Sequence, residues 1–163
     1  MNIYTVGYEG MELEEFLRLL RGAAVSTVVD VRELPLSRKR GFSKTPLAAA
    51  LREEGIEYRH VQSLGCPKPI RDQYRETRDW GAYTVAFMRH VRRQSSAVSD
   101  VAKLSESRAV ALLCFEANPQ FCHRSYVARA AAALSGGHIM HIGAAGLTAD
   151  RAISSAAEPD GSR

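Results

Sequence analysis

The segment Leu113-Cys114-Phe115-Glu116-Ala117-Asn118-Pro119-Gln120-Phe121-Cys122-His123-Arg124 holds two thiols, a carboxylate, an imidazole and a guanidinium. Packing alone does not require that set. Thiolates and imidazoles attack or carry protons, carboxylates carry protons, and guanidinium forks bind phosphate in two places at once. The apolar run Ala109-Val110-Ala111-Leu112 before it reads as a buried strand ending at Cys114. Asn118-Pro119 then turns the chain, and a helix begins near Cys122 or His123. A loop leaving the carboxyl end of a strand is where open α/β sheets keep their ligand sites.

At that helix start, unpaired N–H groups and the helix dipole favour anions and lower a cysteine pKa, so Cys122 is a candidate nucleophile with His123 supporting its thiolate. Glu116 and His123 are candidate acid–base groups, and Arg124 is a candidate anion ligand. The structural alternative makes Cys122 a packing residue, His123 a cap and Arg124 the partner of Glu116. The spacing is not that of a phosphatase loop, because Gln120 rather than arginine stands six residues beyond Cys114. A metal is another use of the same residues: Cys114, Cys122 and His123 as three ligands, with His60 or Glu116 as a fourth. The close C-x₂-C pairs typical of structural zinc are missing, and no cofactor or metal is expected. Cys66, before Pro67, reads as a spare thiol.

Two further loops complete the set. Asp30 and Arg32 flank Val31 at a strand end and share a face at the period of two. They form either a mutual ion pair or a base with an anion-binding fork. Ser37 and Arg38 follow in the same loop and add a hydroxyl and a second fork. Gly7-Tyr8-Glu9-Gly10 lacks the full dinucleotide fingerprint, but Tyr8 can stack on a base or sugar.

The elements that must position these residues alternate. Ile3–Val6 and Thr27–Val31 read as buried strands, Glu57–Val61 as a shorter one, and His138–Ile142 as a fifth after the strand 109–114. Helical periods run over Met11–Arg21, 46–54, Trp80–Arg93, Val98–Leu104 and Ser125–Leu134, while 62–79 reads as irregular. The expected fold is a single three-layer α/β domain over residues 1–146, with a mainly parallel five-stranded sheet ordered 3-2-1-4-5 and helices on both faces. Residues 147–163 read as a fraying tail.

Composition is ordinary for one globular domain of 163 residues, 45% hydrophobic and 25% charged, with no apolar run approaching a membrane span. Three cysteines are too few for a disulfide framework, and the N-terminus lacks a signal-peptide layout, so a cytoplasmic setting is expected. The net charge of +4 is concentrated in Arg32, Arg38, Lys39, Arg40 and Lys44, and in Arg71, Arg75 and Arg78, which favours anionic partners.

Several separated motifs agree with a known family. Tyr4-Thr5-Val6-Gly7-Tyr8, Val29-Asp30-Val31-Arg32 with Pro35 and Ser37-Arg38, Gly41-Phe42-Ser43-Lys44, Gly55-Ile56-Glu57-Tyr58, Leu64-Gly65, Leu113-Cys114-Phe115-Glu116 and Cys122-His123-Arg124 occur in order over roughly residues 3 to 142. Together they resemble domain-of-unknown-function family 488, a compact bacterial and archaeal α/β domain. The resemblance implies that fold and a site at these strand ends, and implies no particular reaction.

The expected function is an enzyme acting on a phosphate-bearing substrate, a nucleotide or a nucleic acid, by hydrolysis or group transfer at a phosphoester or glycosidic bond. The alternatives are a non-catalytic nucleic-acid-binding module and a small-molecule sensor using the same crevice.

Overall fold

The computed structural model describes residues 1–151. Along the chain run β1 (Asn2–Gly7), α1 (Leu13–Gly22), β2 (Thr27–Asp30), α2 (Lys44–Glu53), β3 (Glu57–His60), α3 (Lys68–Thr77), α4 (Trp80–Arg93), α5 (Ser95–Ser107), β4 (Val110–Cys114), α6 (His123–Ser135), β5 (His138–Gly143) and β6 (Gly146–Ala149). Single 3₁₀ turns at Gln62–Leu64 and Pro119–Phe121 join them.

The strands form one sheet ordered β3-β2-β4-β1-β5-β6, parallel except for β6. The expected α/β class, parallel sheet and two helical layers are present. The order 3-2-1-4-5 is corrected, because β4 inserts between β1 and β2, and a sixth strand closes the far edge. The physical reason lies in burial. All five residues of β4, Val110-Ala111-Leu112-Leu113-Cys114, are buried, whereas β1 carries an exposed Asn2 and a half-buried Tyr4. The strand with the uninterrupted apolar run takes the centre, and the rule that sequential strands pair is overridden.

Alternating side chains of this sheet feed two cores. Val6, Val28, Ala111, Leu113 and Ile142 pack with Phe16, Leu17 and Leu20 of α1 and Leu47 and Leu51 of α2. Ile3, Val29, Val110, Leu112 and Ile139 pack with Phe87 and Val91 of α4, Val98 and Val101 of α5, and Val127, Ala128 and Ala131 of α6. The loops after β1 and β2 therefore lead to one layer, and the loop after β4, which lies between those strands, leads to the other. A crevice opens at their carboxyl ends, the switch-point geometry of open α/β sheets.

Local chemistry sets the helix limits. Asp79 Oδ1 accepts the Ala82 N–H at 3.0 Å and caps α4, which ends in His90, Arg92 and Arg93 beside its negative pole. Gly136, at φ +75°, closes α6 in the left-handed conformation that glycine adopts without strain. Helix α3 corrects the irregular reading of 62–79: Pro67 and Pro69 start it and Lys68 pairs with Asp72 one turn on, at 2.7 Å.

The segment assigned to the tail begins with structure. Leu147, Thr148 and Ala149 pair with β5, and Asp150 then folds back onto the sheet. Both Asp150 carboxylate oxygens accept from Arg129, at 2.9 and 3.0 Å, and Oδ1 also accepts from His141 Nε2 at 3.1 Å. His141 Nδ1 in turn accepts the hydroxyl of buried Thr5 at 2.6 Å. Residues 152–163 lie outside the described part of the chain.

Burial pushes the Asp150 pKa up, but the hydrogen bonds from Arg129 and His141 outweigh it and hold the carboxyl below its usual value of 3.8. Its stabilisation is therefore complete above about pH 4 and lost as pH falls through the lowered folded pKa. Asp150→Asn is expected to cost roughly 1.5–3 kcal/mol at pH 7, as charge-assisted hydrogen bonds do. In urea titrations at several pH values, the gap between wild type and variant should close in acid.

Candidate functional site

The crevice is a cavity of about 700 Å³, lined at its base by Tyr8, Arg32, Cys66, Cys114, Glu116 and His123. Two glycines let its walls meet. A methyl group on Gly7 would overlap the Glu116 carbonyl and crowd Arg124 Nη1, and one on Gly65 would overlap the backbone of Glu33. Both positions therefore need a residue without a Cβ.

Asp30 and Arg32 form the ion pair that was one of their two readings. Asp30 Oδ1 accepts the backbone N–H of Arg32 at 3.1 Å and its Nε at 2.9 Å. Oδ2 accepts Arg32 Nη2 at 2.7 Å and the Tyr58 hydroxyl at 2.5 Å. Asp30 is fully buried with its acceptor sites filled, so it orients Arg32. Arg32 Nη1 donates to the Phe42 carbonyl at 2.7 Å and to the Tyr8 hydroxyl at 3.3 Å. Burial alone would lower the Arg32 pKa, and the contacts with Asp30 reverse this and raise it. The guanidinium is a fixed cation in the cavity wall. Tyr8 stacks on Phe42, with ring centroids 4.4 Å apart, so one face of its ring is already occupied.

The loop after β4 gathers the other predicted residues. His123 Nε2 lies 2.7 Å from the Val31 carbonyl. A carbonyl only accepts, so the ring carries its proton on Nε2 and turns a bare Nδ1 toward Cys122 Sγ, 4.0 Å away. Burial holds the His123 pKa down at about 4, so the ring is neutral at pH 7. Cys114 and Cys122 meet sulfur to sulfur, both almost wholly buried, with Cα atoms 7.7 Å apart. Burial pushes the Glu116 carboxyl up, opposed in part by the charge of Arg124. His60 is elsewhere: its Nε2 contacts the Arg32 carbonyl at 2.8 Å.

Arg124 does not reach the cavity. It is completely buried behind the loop, where Nη1 donates to the Glu116 carbonyl at 2.5 Å and to Cys114 Sγ at 3.2 Å, and Nη2 to the Ala117 carbonyl at 3.4 Å. Its Nε has no partner. Burial pulls its pKa down to about 10, with Glu116 opposing. Cys66 is a buried free thiol, and burial pushes its pKa up to about 11, which suits the spare role.

The mouth combines cations and apolar surface. Arg38, Arg75 and Arg78 are exposed around it, and Arg71 is tied to Glu33 at 2.6 Å and to the Cys66 carbonyl at 3.1 Å. Ser37 lines the cavity, with its Oγ accepting the Lys39 N–H at 3.0 Å and its N–H bonded to Ser43 Oγ at 3.0 Å, so both serines shape the loop. One wall is an aromatic shelf missed from sequence. Trp80 stacks on Tyr83 at 4.4 Å and meets Tyr74 and Phe121 edge-on. The signal was Trp80 and Tyr83 one turn apart in the helical run 80–93, with Tyr74 before it hidden because 62–79 reads as loop. Of the eight large apolar residues exposed among the described residues, four (Leu34, Leu36, Phe115 and Phe121) line this cavity, which concentrates apolar surface where a ligand would cover it.

Arg78 holds a left-handed backbone, φ +56°, at the end of α3, where glycine is the favoured residue. Such backbone costs a non-glycine residue about 1–2 kcal/mol. Arg78→Gly is expected to raise stability by up to about 1 kcal/mol after the entropy cost of glycine, while weakening the binding of phosphorylated ligands. Chemical denaturation and ligand titration of the same variant would check both directions.

Among the described residues, no helix is long and apolar enough to cross a membrane. Neither the curated proteins nor the solved structures searched gave a match. Residues 12–131, which take in β2, β4, the cavity-lining loops after both strands and the start of α6, match the family described as Domain of unknown function DUF488, and the chain belongs to that family.

Proposed function

We infer that this protein is an enzyme acting on a phosphate-bearing substrate, a nucleotide or one nucleotide unit of a nucleic acid, by hydrolysis or group transfer. The observation that carries this reading is one cavity with arginines and aromatic rings at its mouth and Cys114, Glu116 and His123 at its base. Guanidinium forks recognise phosphate oxygens bidentately, and aromatic faces stack on bases regardless of sequence. A volume of about 700 Å³ suits a ligand of nucleotide size. Arg32 contributes a cation whose position Asp30 fixes, and Arg38 and Arg78 contribute solvent-exposed ones.

A binder alone has no use for the groups beneath. Glu116, half-buried and without a salt bridge among the described residues, is the carboxyl group placed to move a proton. Neutral His123 lines the same cavity and turns its unprotonated Nδ1 toward Cys122 Sγ. Burial raises the pKa of the Glu116 carboxyl above its usual value, which favours a group that holds a proton and releases it during reaction.

The test is a turnover and binding screen over nucleotides and short oligonucleotides, with each ligand assayed against Arg38→Ala and Glu116→Gln. Arg38→Ala is expected to weaken binding about tenfold or more, equivalent to one charge-assisted contact. Glu116→Gln is expected to lower turnover about a hundredfold or more with affinity retained. Binding without any turnover would identify a non-catalytic module, and the absence of both would remove phosphate-bearing ligands from consideration.

A further inference from the structure

We propose that Cys114, Cys122 and His123 bind a zinc ion whose fourth position opens on the cavity beside Glu116. One ligand atom from each of these four residues lies within 4.8 Å of all the others. Catalytic zinc sites keep three protein ligands and leave one position for water or substrate, and a Cys₂His set is one of the known forms. Cys114, Glu116 and His123 line the cavity, whereas Cys122 lies behind them, so the cluster presents its carboxylate side to the open space.

Backbone spacing favours an ion over a covalent bridge. The 7.7 Å between the Cα atoms lies outside the roughly 4.4–6.8 Å range of disulfides, which cluster near 5.5–6 Å.

The surroundings are already those of a metal site. His123 donates its Nε2 proton to the Val31 carbonyl, which fixes the ring and leaves Nδ1 as a ligand atom. Arg124 Nη1 donates to Cys114 Sγ, a contact that favours a thiolate over a sulfur in a neutral disulfide. Charge also balances. Two thiolates neutralise Zn²⁺, and the remaining negative charge of Glu116 faces the buried Arg124 cation, which has no salt-bridge partner among the described residues. With the two sulfurs oxidised, Arg124 would be left with neutral acceptors only.

This inference stands apart from the substrate reading, because it is tested with zinc alone. Protein reduced under anaerobic conditions and equilibrated with Zn²⁺ should retain one zinc per chain after gel filtration, by elemental analysis. Co²⁺ in its place should give thiolate-to-metal charge-transfer absorption. Cys122→Ser should lower the affinity by about a hundredfold or more, whereas Cys66→Ser should leave one zinc bound, with folding checked by circular dichroism. Should Cys122→Ser fail to fold, alkylation of the wild type carries the test: Zn²⁺ should protect Cys114 and Cys122. Glu116→Gln should keep its zinc, and loss of the ion there would overturn the open fourth position. Reduced, folded protein that retains no zinc, or a Cys114–Cys122 bridge that persists in the presence of thiol reductant, would overturn the proposal.

Discussion

A guanidinium removed from water organises the base of the cavity. Arg124 is completely buried, yet its hydrogen bonds go to the carbonyls of Glu116 and Ala117 and to the sulfur of Cys114, and none goes to a carboxylate. Burying a cation without an ion partner costs several kcal/mol, and an orphaned N–H adds roughly 1–3 kcal/mol. The fold bears that cost at one place, the turn from β4 into α6. In return, the backbone of Glu116 and Ala117 is held from behind, with Gly7 of β1 leaving the space. Cys114, Glu116 and His123 at the base of the cavity all belong to the segment that Arg124 holds.

Arg32, just beyond the end of the neighbouring strand β2, is the counterpart and is handled in the opposite way. Its cation is paired bidentately with Asp30, and Tyr58 takes the remaining lone pair of Oδ2. The pair is satisfied, so the charge is held in place at the cavity wall. Two arginines thus stand at adjacent strand ends, one fixed facing the ligand space and one sacrificed to hold a loop. An arginine count near a site therefore overstates its anion-binding power unless each fork's partners are known.

Much of this was legible in the chain. Strands at 3–6, 27–31 and 109–114 were readable because each is an apolar, β-rich run between turn residues, and the loop 113–124 was readable because its side chains have no packing rationale. The position of β4 was not, since strand order depends on pairings between residues some eighty or more positions apart. Helix α3 was hidden because no residue of it is fully buried and its contact with the core comes from Ile70 and Tyr74, too short a stripe to read as a helical period. Strand β6 was hidden because its four residues are all exposed. The inward turn of Arg124 has no sequence signal either, because Cys122-His123-Arg124 reads equally as a helix start facing the crevice. The type of chemistry followed from residue identity, and the direction of each side chain followed only from the fold.

The direction of the parallel strands also decides where something may be attached to this domain. Strand β6 runs antiparallel to β5, so by Ala149 it has descended to the level of Met140, away from the carboxyl ends of the parallel strands. Met1, whose carbonyl accepts the His138 N–H, lies at that same lower edge. A module fused ahead of Met1 would start from the side opposite the cavity mouth, so the domain can be tethered, labelled or immobilised through that end while its ligand entrance stays clear.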